Sequence, residues 1–140
     1  MDKNNLVKQE KTSNGYQIYY DETSGETVGV VYKNIVFLKH VSKKTMTWYE
    51  AAAYCKTIVI NGITAQLCPV DNSLQYEFEN LSRGLYRALK EIGAVMLKYY
   101  SWAAEYSKYH AWYQGFSNGY IDKGSKSIDF FYVRPVLILK

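Results

Sequence analysis

The chain closes on Phe130-Phe131-Tyr132-Val133-Arg134-Pro135-Val136-Leu137-Ile138-Leu139, and no other stretch restricts its fold so strongly. A run this apolar and this rich in β-branched and aromatic residues reads as a buried strand at the C-terminus. Pro135 removes one backbone donor, so a bulge or an edge position is expected there. Partners for such a strand lie near the other end of the chain. Residues 15–20 alternate as a strand, and 21–25 follow as a turn. Residues 28–32 form a second predicted strand, Lys33-Asn34 a turn, and 35–38 a third strand. Residues 1–14 are polar and are expected to form a flexible N-terminal segment, which leaves 15–140 as a single domain.

Two helices are expected between these strands and the C-terminal run. Thr47-Trp48-Tyr49-Glu50 has the form of a capping box, in which the Thr hydroxyl and the Glu carboxylate each take a free amide of the first turn. Trp48, Ala52 and Cys55 then share one face, which predicts core contact. Asn61-Gly62 marks a turn. Asp71-Asn72-Ser73 offers N-caps for a longer helix. Its apolar face carries Leu74, Phe78, Leu81, Leu85, Leu89 and Ile92, and Gly93 is a stop. Glu77, Glu79, Arg83, Arg87 and Lys90 form its solvated face.

The texture changes after residue 99. The chain holds 15 Tyr against 5 Phe and 3 Trp, and Tyr is concentrated between residues 99 and 120 together with Ser and two Trp. Tyr gives large amphipathic contact area at low entropy cost, and Ser and Asn give adaptable hydrogen bonds, which is the composition of binding loops. Alternation is expected to send Trp102 inward and Ser101 and Ala103 outward. The candidate ligand-binding residues are Tyr100, Ser101, Ala103, Ala104, Tyr106, Ser107, Tyr109, His110, Tyr113, Gln114 and Asn118. A polar turn is expected over 123–127.

Other chemistries find little support in the residues. The net charge of +4 is mild, with Lys43-Lys44 the one basic pair, so no nucleic-acid stripe is present. Cys55 and Cys68 lack metal-ligand spacing. They pair if the fold brings them together, or remain two buried thiols. His40 reads as a surface residue at a strand end, and His110 as a contact residue. No phosphate loop, nucleophile elbow or metalloprotease motif occurs. A non-catalytic protein without metal or cofactor is the expectation. No apolar run has the length of a signal-peptide core or a membrane span. No membrane insertion is therefore expected, a cytoplasmic or phage-particle location is favoured, and self-association is left open.

Three motifs carry a resemblance to a known family: Thr-Trp-Tyr-Glu-Ala-Ala-Ala-Tyr-Cys at 47–55, Tyr-Ser-Trp-Ala-Ala-Glu-Tyr-Ser-Lys-Tyr-His-Ala-Trp at 100–112, and Tyr-Val-Arg-Pro-Val at 132–136. Over roughly residues 26–140 the chain resembles C-type-lectin-fold domains related to formylglycine-generating enzymes. It is similar in particular to the variable proteins of diversity-generating retroelements. The resemblance implies an α+β, C-type-lectin-like fold, with two helices packed on small antiparallel sheets. It implies that Trp102, Glu105, Trp112, Val133 and Arg134 are scaffold, with Glu105 and Arg134 as a pair, and that residues between them form a display surface for a protein or glycan ligand. Ala103-Ala104 stands where the family usually has Ser-Ser, and Leu67-Cys68-Pro69 keeps only part of an Arg-Leu-Pro element. Adenine replacement in an Asn codon reaches Ser101, Ala103, Ala104, Tyr106, Ser107, Tyr109, His110, Tyr113 and Asn118, and does not reach Trp102, Glu105, Lys108 or Trp112. A fixed-sequence adhesin or phage receptor-binding module of the same fold remains the alternative. The calcium-ligating motifs of sugar-binding C-type lectins are absent, and Cys55 and Cys68 lie in the wrong part of the chain for formylglycine chemistry.

Overall fold

A computed structural model describes residues 10–70, 84–95, 100–115 and 120–140. The predicted start of the second helix (Asp71 to Arg83), Tyr99 and the candidate Asn118 lie outside these residues, as does the N-terminal stretch 1–9.

Strand β3 (Ile35–Leu38) is buried at all four positions, and this organises the first half of the molecule. It lies between β2 (Thr27–Tyr32) and β9 (Val136–Ile138), with β1 (Gln17–Tyr20) outside β2, in an antiparallel sheet of order β1-β2-β3-β9. The C-terminal run is therefore a strand beside the central one, paired as Val36 with Leu137. Its regular part begins just after Pro135, whose carbonyl still accepts from Leu38 N–H at 3.3 Å. Upstream of Pro135 the chain makes single bridges instead, Phe131 to Met46 and Tyr132 to Ser101. Both faces of β3 are covered. Ile35 and Phe37 join Leu85, Ala88 and Leu89 of a helix described over residues 84–91, here α2. Val36 and Leu38 join Ala65, Ile58, Ile60 and Ile63 around a hairpin of β4 (Val59–Ile60) and β5 (Ile63–Thr64). The Asn61-Gly62 turn links these two strands.

Helix α2 ends as its sequence predicts. Gly93 has φ +82, and the amides of Gly93 and Ala94 donate to Lys90 O and Leu89 O at 3.1 and 3.0 Å. That pair of bonds satisfies two last-turn carbonyls and needs a residue at ease in the left-handed region. The packed domain also begins upstream of residue 15. Thr12 is buried, Ser13 N–H donates to both Glu91 carboxylate oxygens at 3.0 and 2.9 Å, and Asn14 Nδ2 donates to Gly84 O at 2.9 Å.

The second half is a three-stranded antiparallel sheet, β6 (Ser101–Glu105), β7 (His110–Gln114) and β8 (Ile121–Ser125), packed against helix α1 (Trp48–Lys56). The predicted capping box is present, with Glu50 N–H donating to Thr47 Oγ1 at 3.3 Å and Thr47 N–H to Glu50 Oε1 at 3.1 Å. The Thr47 amide and hydroxyl, both donating to the Glu50 carboxylate, hold it below its ordinary range. Trp102, Ala111 and Val133 meet Ala51, Cys55, Met46 and Leu67 in a core of their own. Trp102 is fully buried and its indole N–H donates to Met46 O at 2.8 Å. Gly124 leaves it room: a Cβ there would stand 3.3 Å from the Trp102 ring and 3.0 Å from Asp129 Oδ2. Because β8 runs through Ser125, residues 123–125 are strand and not the expected polar turn.

The molecule is thus α+β, with two helices and small antiparallel sheets among the described residues. Segment 131–134 stitches the two halves together. Ser42 N–H donates to Val133 O, and Val133 N–H returns to Ser42 Oγ, both at 3.0 Å. Arg134 is fully buried; its guanidinium donates to Leu38 O at 2.6 Å and to Val95 O. Burial lowers its pKa to about 10.

Candidate binding surface

Among the described residues, the turn between β6 and β7 carries the most exposed aromatics of the Tyr-rich segment. The amides of Tyr106 and Ser107 both donate to His110 O, at 3.0 and 2.9 Å, which closes a tight tip. Tyr106 is 53% and Tyr109 65% exposed, and Ser107, Lys108 and His110 are exposed beside them. Tyr106 meets Trp112 edge to face at 5.2 Å. Lys123 stands 4.3 Å over the Tyr106 ring, and Lys108 stands 5.3 Å over Tyr109. These contacts limit the rotamers of the tip side chains before any ligand arrives.

Lys126 anchors the tip from below. Its side chain is 3% exposed and its ammonium pairs with Glu105. The same ammonium donates to Lys108 O at 3.2 Å and lies 4.5 Å over the Trp48 ring. Its backbone N–H donates to Tyr109 O at 3.0 Å, and its carbonyl accepts from Trp48 N–H at 3.1 Å. One residue therefore ties together the end of β6, the tip and the start of α1. The sequence places Lys126 in a polar stretch and gives no sign of this burial. Tyr49, next to it on α1 and 53% exposed, was likewise not among the candidates. A Tyr beside a core-facing Trp at a helix start is the signal that points to it.

The opposite end of the sheet bears a second aromatic group. Tyr113 stacks on Phe131 at 4.5 Å, Tyr100 lies 4.9 Å from Tyr113, and Tyr120 is 5.4 Å from Tyr100. Phe131 meets Trp102 edge to face at 4.8 Å. Tyr120 OH donates to Asp122 Oδ2 at 3.0 Å. Burial, with the Asp122 carboxylate as a smaller cause, pushes Tyr113 up to about 12.

The candidates separate accordingly. Tyr106, Ser107, Tyr109 and His110 form one exposed group, and Tyr100, Ala104 and Tyr113 are half-buried. Ser101, Ala103 and Gln114 are corrections, since all three are buried. Ser101 Oγ accepts from Arg134 N–H at 2.8 Å. Ala103 faces Cys68 in the core of the other half. The base of β6 is covered on both faces, Trp102 lying in one core and Ala103 in the other, so alternation takes neither Ser101 nor Ala103 to solvent. The expected Glu105–Arg134 pair is also corrected: Glu105 is on the surface and binds Lys126, while Arg134 serves backbone carbonyls. Trp112, which the resemblance implies is scaffold, is half-buried under Tyr106 and Lys123.

Cys55 and Cys68 are separate buried thiols, and burial raises both to about 12. His40 is exposed, and its Nε2 meets the Tyr54 hydroxyl. Among the described residues no three His, Cys, Asp or Glu side chains converge as metal ligands do, and no helix is long and apolar enough to cross a membrane. No protein-family model, curated protein or solved structure matches the chain.

Proposed function

We propose that this chain is a non-catalytic binding protein with a C-type-lectin-like fold, presenting the β6–β7 tip to a protein or glycan on another surface. The observation that carries this reading is the pairing of exposed Tyr106 and Tyr109 with a buried support beneath the tip, Lys126. Exposed aromatics held on a packed sheet lose little entropy when a ligand covers them. The motif resemblance favours a diversified display protein of a retroelement, in which residues such as Tyr106, Ser107, Tyr109 and His110 change while Trp102, Lys126 and Arg134 stay fixed.

One observation favours the second reading, a fixed-sequence adhesin or receptor-binding module. Ser101 and Ala103 are adenine-reachable yet fully buried, and random replacement there would damage the core. Sequencing the gene and its surroundings in many isolates decides between them. Substitutions at adenine-derived codons concentrated at residues 106–110, beside a constant template copy and a reverse transcriptase, are the expected result. An invariant segment with no template leaves the fixed module.

A further inference from the structure

A cleft of about 450 Å³ lies between α1 and the extended chain after β5, apart from both aromatic groups. Trp48, Ala52 and Lys56 recur every four residues and form one wall in a row along α1. Ala65, Leu67 and Ala104 complete the apolar lining, and Thr64 and Gln66 add polar groups. The wall is firmly set. The Trp48 indole N–H donates to Ala103 O at 2.9 Å, and Gln66 is pinned by reciprocal backbone bonds with Val136, both 2.9 Å. The space exists because positions 52 and 104 carry only methyl groups. Lys56 is exposed at one end, and no carboxylate among the described residues pairs with it.

The geometry points to a docking site for an aromatic side chain of a partner protein, followed closely by an acidic residue that reaches Lys56. The volume and apolar lining suit a flat ring against Trp48 and Ala52, and the ammonium supplies the charge complement. The cleft is open to solvent, whereas sites for free small ligands enclose most of the ligand surface. A group delivered by a larger partner fits an open cleft better. That the occupant belongs to a protein rests on the binding-protein reading above. Trp48 borders both this cleft and Lys126, so a single partner can cover cleft and tip together.

The test uses the full chain, ¹⁵N-labelled, titrated with N-acetyl-Trp-Glu-amide, N-acetyl-Trp-Lys-amide and free indole-3-propionate. The expected result is saturable shifts at the Trp48 indole N–H and at the amides of Ala52 and Ala104. The Glu peptide should bind about three- to fivefold more tightly than the Lys peptide, as a partly exposed ion pair allows. K56Q should remove that preference. A104W or A52L, each checked for an unchanged melting temperature, should abolish the shifts by filling the cleft. Y106A/Y109A should leave them intact, so that failure here and failure of the tip reading are separate results. No saturable shift, shifts that survive in both filled variants, or tighter binding of the free acid than of the Glu peptide would overturn the proposal.

Discussion

At the β6–β7 tip, Tyr106 and Tyr109 are more than half exposed, whereas at the far end of the same sheet Tyr100 and Tyr113 are packed against Phe131. The residue type is the same, and what lies beneath it differs. Under the tip is Lys126, a polar anchor that holds backbone and leaves the rings outside. Under the far group is Trp102, which meets Phe131 edge to face and draws Tyr113 onto the core, while Tyr120 at the rim stays 45% exposed. A Tyr-rich segment is therefore two structures in one, a tip whose rings stand in solvent and a far group packed largely against the core. The comparison predicts that stability changes concentrate at the far end and that binding changes concentrate at the tip.

The largest effect belongs to Trp102→Ala. It removes a fully buried indole and one of the two donors to Met46 O, leaving only the Phe131 amide at 3.1 Å. The expected loss is about 3–5 kcal/mol in denaturant unfolding. Half-buried Trp112→Ala should cost about 2 kcal/mol, since only part of its area leaves water on folding. Equal losses would erase the distinction between sheet core and tip support.

Alkaline pH should attack the buried end next. Cys55, Cys68 and Tyr113 are each raised to about 12, the thiols from 9.0 and the phenol from 10.0. A group held un-ionised by burial contributes stability that is complete below its unfolded pKa and disappears as pH rises towards its folded pKa. The urea midpoint should therefore hold steady to near pH 9 and fall progressively above it. A midpoint that stays flat to pH 11 would show that these groups ionise equally well in the folded chain.

The anchor gives a smaller, asymmetric pair of effects. Glu105→Gln leaves the buried Lys126 ammonium without its carboxylate, at a cost of about 1–3 kcal/mol. Lys126→Met leaves the surface-exposed Glu105 side chain, which water solvates, and keeps packing on Trp48, so its cost should stay below about 1 kcal/mol. The reverse order would mean that Lys126 is held by its aromatic and carbonyl contacts alone.

Much of the first sheet, the start of α1 and the end of α2 could be read in the sequence because their signals are local. The turns at Lys33-Asn34 and Asn61-Gly62, the Thr47–Glu50 box and the Gly93 stop each depend on neighbours within a few residues. The candidate surface was legible only in part. Alternation assigns one face of a strand to solvent, but the base of β6 is covered on both faces, by the Trp102 core and by the Cys68–Leu89 core. That second layer comes from residues far away in the chain, so alternation alone places Ser101 and Ala103 outward, and the burial of Gln114 on neighbouring β7 has no local signal. The Lys126–Glu105 pair, found where Glu105–Arg134 is expected, has no local signal for a related reason. Its partners come from opposite edges of a sheet whose register includes a bulge, and no spacing rule connects them.

The smallest stability effect should accompany the largest binding effect. Tyr109 is 65% exposed, and Lys108 over its ring is its one ring or cation partner at the tip. Tyr109→Ala should change unfolding free energy by less than about 1 kcal/mol, as surface substitutions do. Its backbone carbonyl, which holds Lys126 N–H, remains in place. The tip geometry should therefore survive, which the ¹⁵N shifts of Ser107, His110 and Lys126 would report. Loss of ligand capture with those shifts unchanged would assign binding to the side chain itself. Shifts spreading through Lys126 to Trp48 would show that Tyr109 instead supports the anchor, and the division between display and scaffold would then have to be drawn one residue further out.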